Sequence, residues 1–400
     1  MLNPHQALQL RVGVDVGSQC HSVAVGLADG SLLEEFEIPH TAAGFGDFFA
    51  RIEGHAKRHS SPVAVAMEGY NGHVRPLDSL VKARGWRLFN VNNLKLARFK
   101  EIFPAAAKSD RIDSAKTLEL FQLRDHLPMA RDVLQEVMAT PAENDILKRL
   151  SRRRRRLVNE RTRVINSLHA DLQAVAPGLL QITRYVGNLW FLSFLTCRKD
   201  IRKLARLRRA TLLKLPGIGA TYAERIQAWQ QSAYFGPDAR LVGDMIHQDA
   251  ERVLELNRQI KALEDEMAHI AATSAIACQL ASIPGCGSVC SAELAGEIGT
   301  IARFQSEASL ALYLGMATLD NSSGKFRGSK SPKHVNVRAK AAMMAAVDHH
   351  RKRVPQSHRF YERKRAEGKK HNQAIRALGR HLCRVIFKML SQERPYRIDP

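Results

Sequence analysis

Three short runs of β-branched and apolar residues open the chain: RVGVDVG from Arg11, HSVAVGLADG from His21 and SLLEEFEI from Ser31. Such residues suit a pleated, half-buried surface, and an Asp-Gly turn allows only antiparallel neighbours, so these runs predict a meander turning at Ala28–Gly30. A helical pattern near Phe45–His59 follows, then the apolar run Pro62–Met67, which reads as a strand buried on both faces and ends in Glu68. A second helix over about Val74–Arg84, a short strand at Trp86–Val91, a third helix from about Leu94 and a further one over Asp110–Leu123, with Ser109 as N-cap, continue the pattern.

That order is the order of an RNase H-like α/β domain, expected over residues 1–140. Beyond it the period changes. Asn144–Val175 reads as one long charged helix with Leu150, Leu157, Val164, Leu168 and Val175 in a loose heptad. Arg152, Arg153, Arg154, Arg155 and Arg156 cover much of one turn of it and are expected to hold nucleic-acid backbone, with a merely solvated helix face as the plainer reading. In a second long helix Val253, Leu256, Ile260, Leu263, Met267 and Ile270 alternate steps of three and four, the spacing of a coiled-coil seam. A helical coiled-coil region is therefore expected over 141–275, with an inserted helical module at about 178–243, followed by a mostly α-helical domain over 276–400.

The charge is divided along the same lines. Sixty-one Lys and Arg against 39 Asp and Glu leave +22. Residues 1–139 hold 16 of each sign, residues 140–275 hold 23 basic and 14 acidic, and residues 276–400 hold 22 and 9. The excess belongs wholly to the last two thirds and points to a polyanionic partner, nucleic acid first. With 45% hydrophobic and 25% charged residues the composition is that of a globular chain, which argues against disorder. The longest apolar stretch, Leu189–Cys197, is broken by Ser193 and Thr196 and falls far short of the roughly 20 residues that span a bilayer. The amino terminus lacks the apolar core of a signal peptide, so a cytoplasmic, nucleoid-associated protein is expected. The six cysteines form no CxxC pair; Cys286 and Cys290 can share a helix face, where two small buried thiols explain them better than a metal.

Four carboxylates fall at elements that such a sheet brings together. Asp15 lies in VGVDVG among small residues, Glu68 ends the buried run, and Asp110 and Asp113 stand three apart at a helix start, on one face near the positive end of its dipole. Clustered carboxylates repel one another without cations, and hard oxygen donors suit Mg²⁺ or Mn²⁺. Each also has a plainer reading: Asp110 and Asp113 as N-terminal helix acids, Glu68 as a strand-end cap, Asp15 in the phosphate loop of an ATPase. LPGIG at 215–219 and IPGCG at 283–287 repeat one pattern before a helix rich in small residues. Gly217, Gly219, Gly285 and Gly287 would permit tight turns and expose backbone N–H groups that can hold a phosphate, or simply join two helices. A Ser-Gly step at Ser323 is followed by Lys325, Arg327, Lys330 and Lys333, which read either as a cationic surround able to hold a phosphodiester or as an ordinary surface turn with solvated lysines.

Together and in this order, VGVDVG, AMEG, KSDRIDSAK and the block from IPGCG to SSGKFRG make the chain resemble, over nearly its whole length, the DEDD transposases of insertion sequences that include the Piv-type invertases. The resemblance implies a RuvC-like domain whose metal-binding quartet falls on Asp15, Glu68, Asp110 and Asp113. It also implies a C-terminal transposase domain whose serine nucleophile falls on Ser323, a phosphoserine–DNA intermediate and a bridge or seeker guide RNA. The chain carries Thr318 where that family has proline, and Ser322 stands as a second candidate nucleophile. Separate domains for carboxylates and serine make a dimer or tetramer the expected assembly. Rival readings are a RuvC-like junction resolvase using water, an actin- or sugar-kinase-like ATPase lacking a visible second phosphate loop, and a nonenzymatic RNA-binding protein.

Overall fold

The computed structural model describes residues 9–68, 75–91, 96–97, 110–127, 133–324, 328–330, 332 and 335–397; of residues 75, 110–113 and 329 the backbone alone is described. The chain forms two compact units, Met1–Ala139 and Thr140–Pro400.

The first unit is a six-stranded mixed sheet of order β3-β2-β1-β4-β5-β6. Strands β1 (Leu10–Val16), β2 (Cys20–Gly26) and β3 (Leu32–Pro39) form the antiparallel meander. Its second turn is closed by Leu27 N donating to Ser31 O at 2.9 Å, with Gly30 at φ +93°. Helix α1 (Ala42–His59) is capped by Thr41, whose hydroxyl accepts from Gly44 N. β4 (Val63–Met67) lies parallel to β1 and is buried at every position. Helix α2 (Arg75–Ala83), the parallel strand β5 (Arg87–Val91) and helix α3 (Asp110–His126) follow. The helix expected from about Leu94 falls almost wholly outside the described residues, as does Ser109. A three-residue edge strand that the sequence pattern does not announce, β6 (Leu134–Glu136), pairs antiparallel to β5, with Arg87 donating to both oxygens of Glu136 at 2.8 and 2.9 Å. The order is compatible with an RNase H-like sheet.

Strand alternation splits the apolar residues into two cores. Val12, Val14, Val63, Val65 and Met67 pack on Phe45, Phe48 and Ile52 of α1 and on Leu77 and Val81 of α2. Ala64, Ala66 and Phe89 face the other way, onto Leu120 and Phe121 of α3. Arg11, 1% exposed, reaches from β1 to Asp125 near the end of α3 at 2.5 Å, so α3 runs antiparallel to β1.

In the second unit, α4 (Ala142–Val175) pairs with a helix 33 residues long, Ala239–Ala271. Between them lies a module containing α5 (Leu189–Thr196) and α6 (Ala220–Gln231), after which the partner helix is α7. The pair is antiparallel: Arg154 meets Glu264 at 2.6 Å, Arg161 meets Asn257 at 2.9 Å and Glu160 meets Arg252. Leu157, Leu256 and Ile260 form the apolar seam between them, so heptad positions read from the sequence are used within one chain. Toward the module, Ile165, Leu168 and Leu172 of α4 and Ile246 and Val253 of α7 join a core with Trp190, Phe191, Phe194 and Trp229. The apolar stretch at Leu189 is thus a core helix, and among the described residues no helix is long and apolar enough to cross a membrane.

At its other end the pair enters a second core through Leu147 and Met267. This core is completed by α8 (Ala275–Ala281), α9 (Ser288–Ile298), α10 (Glu307–Tyr313), α11 (Val337–Arg351), α12 (Pro355–Ala366) and α13 (His371–Ser391). Between α10 and α11 the only described strands of this unit, β7 (Leu319–Asp320) and β8 (Ser329–Lys330), pair as a small hairpin.

Candidate active site

β1 and β4 lie side by side and parallel, with Val14 opposite Met67 as the last registered pair. Asp15 and Glu68 are the next residue on each, at the carboxyl ends of neighbouring strands that run about 4.8 Å apart. Both are half-buried; alternation along β1 places Asp15 on the face that carries Gly13, and Glu68 stands in the bend directly after the last residue of β4. Helix α3 covers that face. A Cβ on Gly13 would lie 2.5 Å from Ser114 O and 2.9 Å from Leu118 N, so the absent side chain is what lets the helix backbone rest on β1. Because α3 runs antiparallel to β1, its first turn, which holds Asp110 and Asp113, stands at the end of the sheet where Asp15 and Glu68 emerge.

The structure thus brings three separate segments to one corner of one sheet face. Among the described side chains no group of three His, Cys, Asp or Glu stands together, and those of Asp110 and Asp113 lie outside that description. Half-buried carboxylates at the ends of two neighbouring strands are hard oxygen donors of the kind that suits a divalent cation.

Ser322 and Ser323 sit at the exposed end of the β7–β8 hairpin, closed by Asn321 N donating to Gly328 O at 2.9 Å. Gly324 has φ +55° with open space where a side chain would stand. Lys330 is exposed on β8; Lys325, Arg327 and Lys333 lie outside the described residues.

The two glycine motifs adopt the same turn. Gly217 (φ +75°) and Gly285 (φ +94°) make the bend, and a Cβ at Gly285 would lie 2.6 Å from the backbone of His349 and His350 in α11. That close crossing is tied by His350 Nδ1 donating to Pro284 O at 2.8 Å. Gly219 and Gly287 instead occupy the N-cap positions of α6 and α9, make no side-chain cap, and have open space around them. The first glycine of each motif is explained by packing; the second leaves a helix amino terminus accessible. Cys290 donates through Sγ to Ala342 O, and its hydrogen bond with Cys286 together with burial pushes its thiol far up, so these cysteines pack the core.

The five arginines separate into two sets. Arg152 donates to both oxygens of Glu297 at 2.7 and 2.9 Å, Arg155 to both oxygens of Glu293 at 3.0 and 2.9 Å, and Arg154 to Glu264. Arg153 and Arg156 are exposed and, among the described residues, no carboxylate pairs with them. The run is therefore no uniform solvated face: three members fasten α4 to α9 and α7. Glu293 and Glu297 have the signal that sequence reading passed over, two acids four apart in a helix otherwise made of small and apolar residues, where burial requires paired cations.

A mixed sheet of this order with Asp15 and Glu68 at the ends of two neighbouring strands, followed in the chain by a strongly basic helical remainder, has the make-up of a transposase that acts on DNA. Residues 12–177 match a transposase family model of the IS110 DEDD type, and residues 277–362 match the model described as the Transposase IS116/IS110/IS902 family. The two spans cover more than half of the chain, and the chain belongs to this DEDD transposase family of insertion sequences. It is 24% identical over 398 residues to the Insertion element IS110 uncharacterized 43.6 kDa protein of Streptomyces coelicolor, covering 95% of this chain and 93% of that one. It is 25% identical to the Insertion element IS116 uncharacterized 44.8 kDa protein of Streptomyces clavuligerus, over 97% of this chain and 96% of that one. It is 26% identical to the Insertion element IS900 uncharacterized 42 kDa protein of Mycobacterium paratuberculosis, over 96% of each. Asp15, Glu68, Asp110 and Asp113 lie in the first matched span and Ser323 in the second; the module at 178–243 lies between them.

Proposed function

We propose that this transposase cuts and rejoins DNA at the ends of its insertion sequence by passing a phosphodiester to a serine and back, with a structured noncoding RNA selecting donor and target by base pairing. The convergence of Asp15, Glu68 and the first turn of α3 on one corner of the sheet is the observation that carries this reading. Asp15, Glu68, Asp110 and Asp113 would hold Mg²⁺ or Mn²⁺, which when bound polarises the phosphodiester and offsets the mutual repulsion of the carboxylates.

Ser323, or its neighbour Ser322, attacks phosphorus: an Oγ–P bond forms, the P–O bond to the adjoining deoxyribose breaks, and the serine proton leaves with the released hydroxyl. Attack by the hydroxyl end of another strand reverses both bonds and returns the proton to serine, so no external energy source is required. Lys325, Arg327 and Lys330 would hold the phosphodiester, and the open amino termini at Gly219 and Gly287, with Arg153 and Arg156, would contact nucleic-acid backbone. The +22 charge, carried outside the first unit, supports an RNA partner as well as DNA. Carboxylates and serine belong to separate units, which suits a dimer or tetramer with active centres completed between copies.

Asp15→Ala and Asp113→Ala are expected to lower strand exchange in Mg²⁺ by about 10²–10³-fold or more while RNA and DNA binding persist. Full activity of both variants would remove the quartet from the mechanism.

A further inference from the structure

We propose that Arg152, Glu297, Tyr313 and Asn336 form a clamp that positions the Ser322–Ser323 hairpin for strand transfer, an inference that rests on the serine reading above. The hairpin is built on two strands of two residues each and is too small to fix its own position. Leu314 and Met316, buried in the core, anchor its first side, and the two sides are joined at Tyr313, the end of α10, and Asn336, the N-cap of α11.

Tyr313 and Asn336 are tied twice: Asn336 N donates to Tyr313 O at 3.1 Å, and Asn336 Nδ2 to the Tyr313 hydroxyl at 2.7 Å. Both are then tied to Glu297. Asn336 Nδ2 also donates to Glu297 Oε2 at 2.7 Å, and the Tyr313 hydroxyl donates to Glu297 O at 2.7 Å. The Glu297 side chain is fully buried and receives the bidentate fork of Arg152, which roots the assembly in α4. Arg303 adds bonds to the carbonyls of Glu297 and Ile298 at 3.1 and 2.8 Å and lies 5.1 Å from the Tyr313 ring.

Burial pushes the Glu297 carboxyl up, but Arg152 and Asn336 outweigh it and hold it below the ordinary carboxylate range, so it stays charged at neutral pH. Asn336 also acts through its other side-chain atom, since Oδ1 accepts from Arg338 N and Ala339 N at 3.1 Å and caps α11. One side chain thus sets both where α11 starts and where the serine segment ends. Arg152, counted from sequence among the nucleic-acid contacts, becomes a positioning residue.

The test uses the full-length protein with Asn336→Ser, which keeps a capping oxygen but loses both Nδ2 donors, and Tyr313→Phe, which keeps the ring and loses the hydroxyl. Ile226→Val, a trimming of the module core, controls for general loss of stability. Four quantities are read: the single-turnover rate of covalent adduct formation at saturating donor DNA, the affinity for that DNA, hydrogen exchange of peptides from 314–335, and the thermal midpoint of each variant.

Both clamp variants are expected to slow adduct formation about tenfold or more, speed exchange in 314–335 and leave DNA affinity unchanged, while Ile226→Val slows nothing. Wild-type rates in both, or a slowing matched by the control at equal loss of thermal stability, would overturn the clamp. If Ser322→Ala and Ser323→Ala each leave adduct formation intact, the serine reading itself fails, and the clamp as a device for catalysis falls with it whatever exchange shows.

Discussion

Arg152 and Arg153 are neighbours of identical chemistry, and one helical step of about 100° sends them to different fates. Arg152 and Arg155 turn toward α9, where Glu297 and Glu293 would otherwise be buried charges without an ion pair; Arg153 and Arg156 turn to solvent. Removing one member of a buried pair costs about 3–5 kcal/mol, and less where water reaches in, as it does at Arg152 and Arg155, whose side chains are 38% and 32% exposed. The double substitution of Arg152 and Arg155 by Gln should therefore lower the urea midpoint clearly. The same change at Arg153 and Arg156 should leave stability within about 0.5 kcal/mol. It should instead flatten the salt dependence of nucleic-acid binding, by about 0.7–0.9 in slope for each phosphate no longer neutralised. Equal stability in both double variants would mean that the ion pairs do not hold α4 to α9.

The elements were legible in proportion to the strength of their period. The meander, the buried strand before Glu68 and the two long helices were all visible, because period-two runs with a Gly-containing turn and apolar steps of three and four leave little alternative. Strand β6 was not, since three residues, Leu134, Gln135 and Glu136, carry no periodic signal and pair because β5 offers an open edge. The corner holding Asp15 and Glu68 could be inferred from acids at strand ends. What brings α3 to it could not: that depends on Gly13 admitting the Ser114 backbone and on Arg11 reaching Asp125, pairings separated by about a hundred residues. The arginine run showed the opposite failure. Charge density read as a uniform binding face, and only packing against α9 shows which arginines are already engaged.

For the whole molecule, charge placement sets a direction for stability against pH. Burial holds His350 below its ordinary value, so as pH falls through about 6.5 the unfolded chain takes up a proton that the folded chain refuses, and stability drops. Glu297 and Glu136 are held below the ordinary carboxylate range despite burial, Glu136 chiefly by Arg87; their contribution is complete above about 4.5 and is lost as pH falls through the lowered folded values. Asp249, raised by burial, has the opposite sign and relieves a small part of this loss. Urea midpoints taken from pH 7.5 to pH 4 should fall from about pH 6.5 and steepen in acid. A midpoint that rises on acidification would contradict these assignments.

The division of the chain into a neutral unit carrying carboxylates and a basic unit carrying Ser323 underlies the proposal that strand exchange passes through a protein–DNA bond. The most direct measurement is to trap the reaction on a nicked suicide substrate, digest the protein and identify the peptide joined to DNA. A covalent adduct is expected on the peptide containing Ser323, lost in Ser323→Ala together with recombination, while RNA and DNA binding remain. An adduct on Ser322 would move the nucleophile by one residue and keep the mechanism. DNA cleavage by Ser323→Ala with no adduct on any residue would contradict it and leave water as the attacking group.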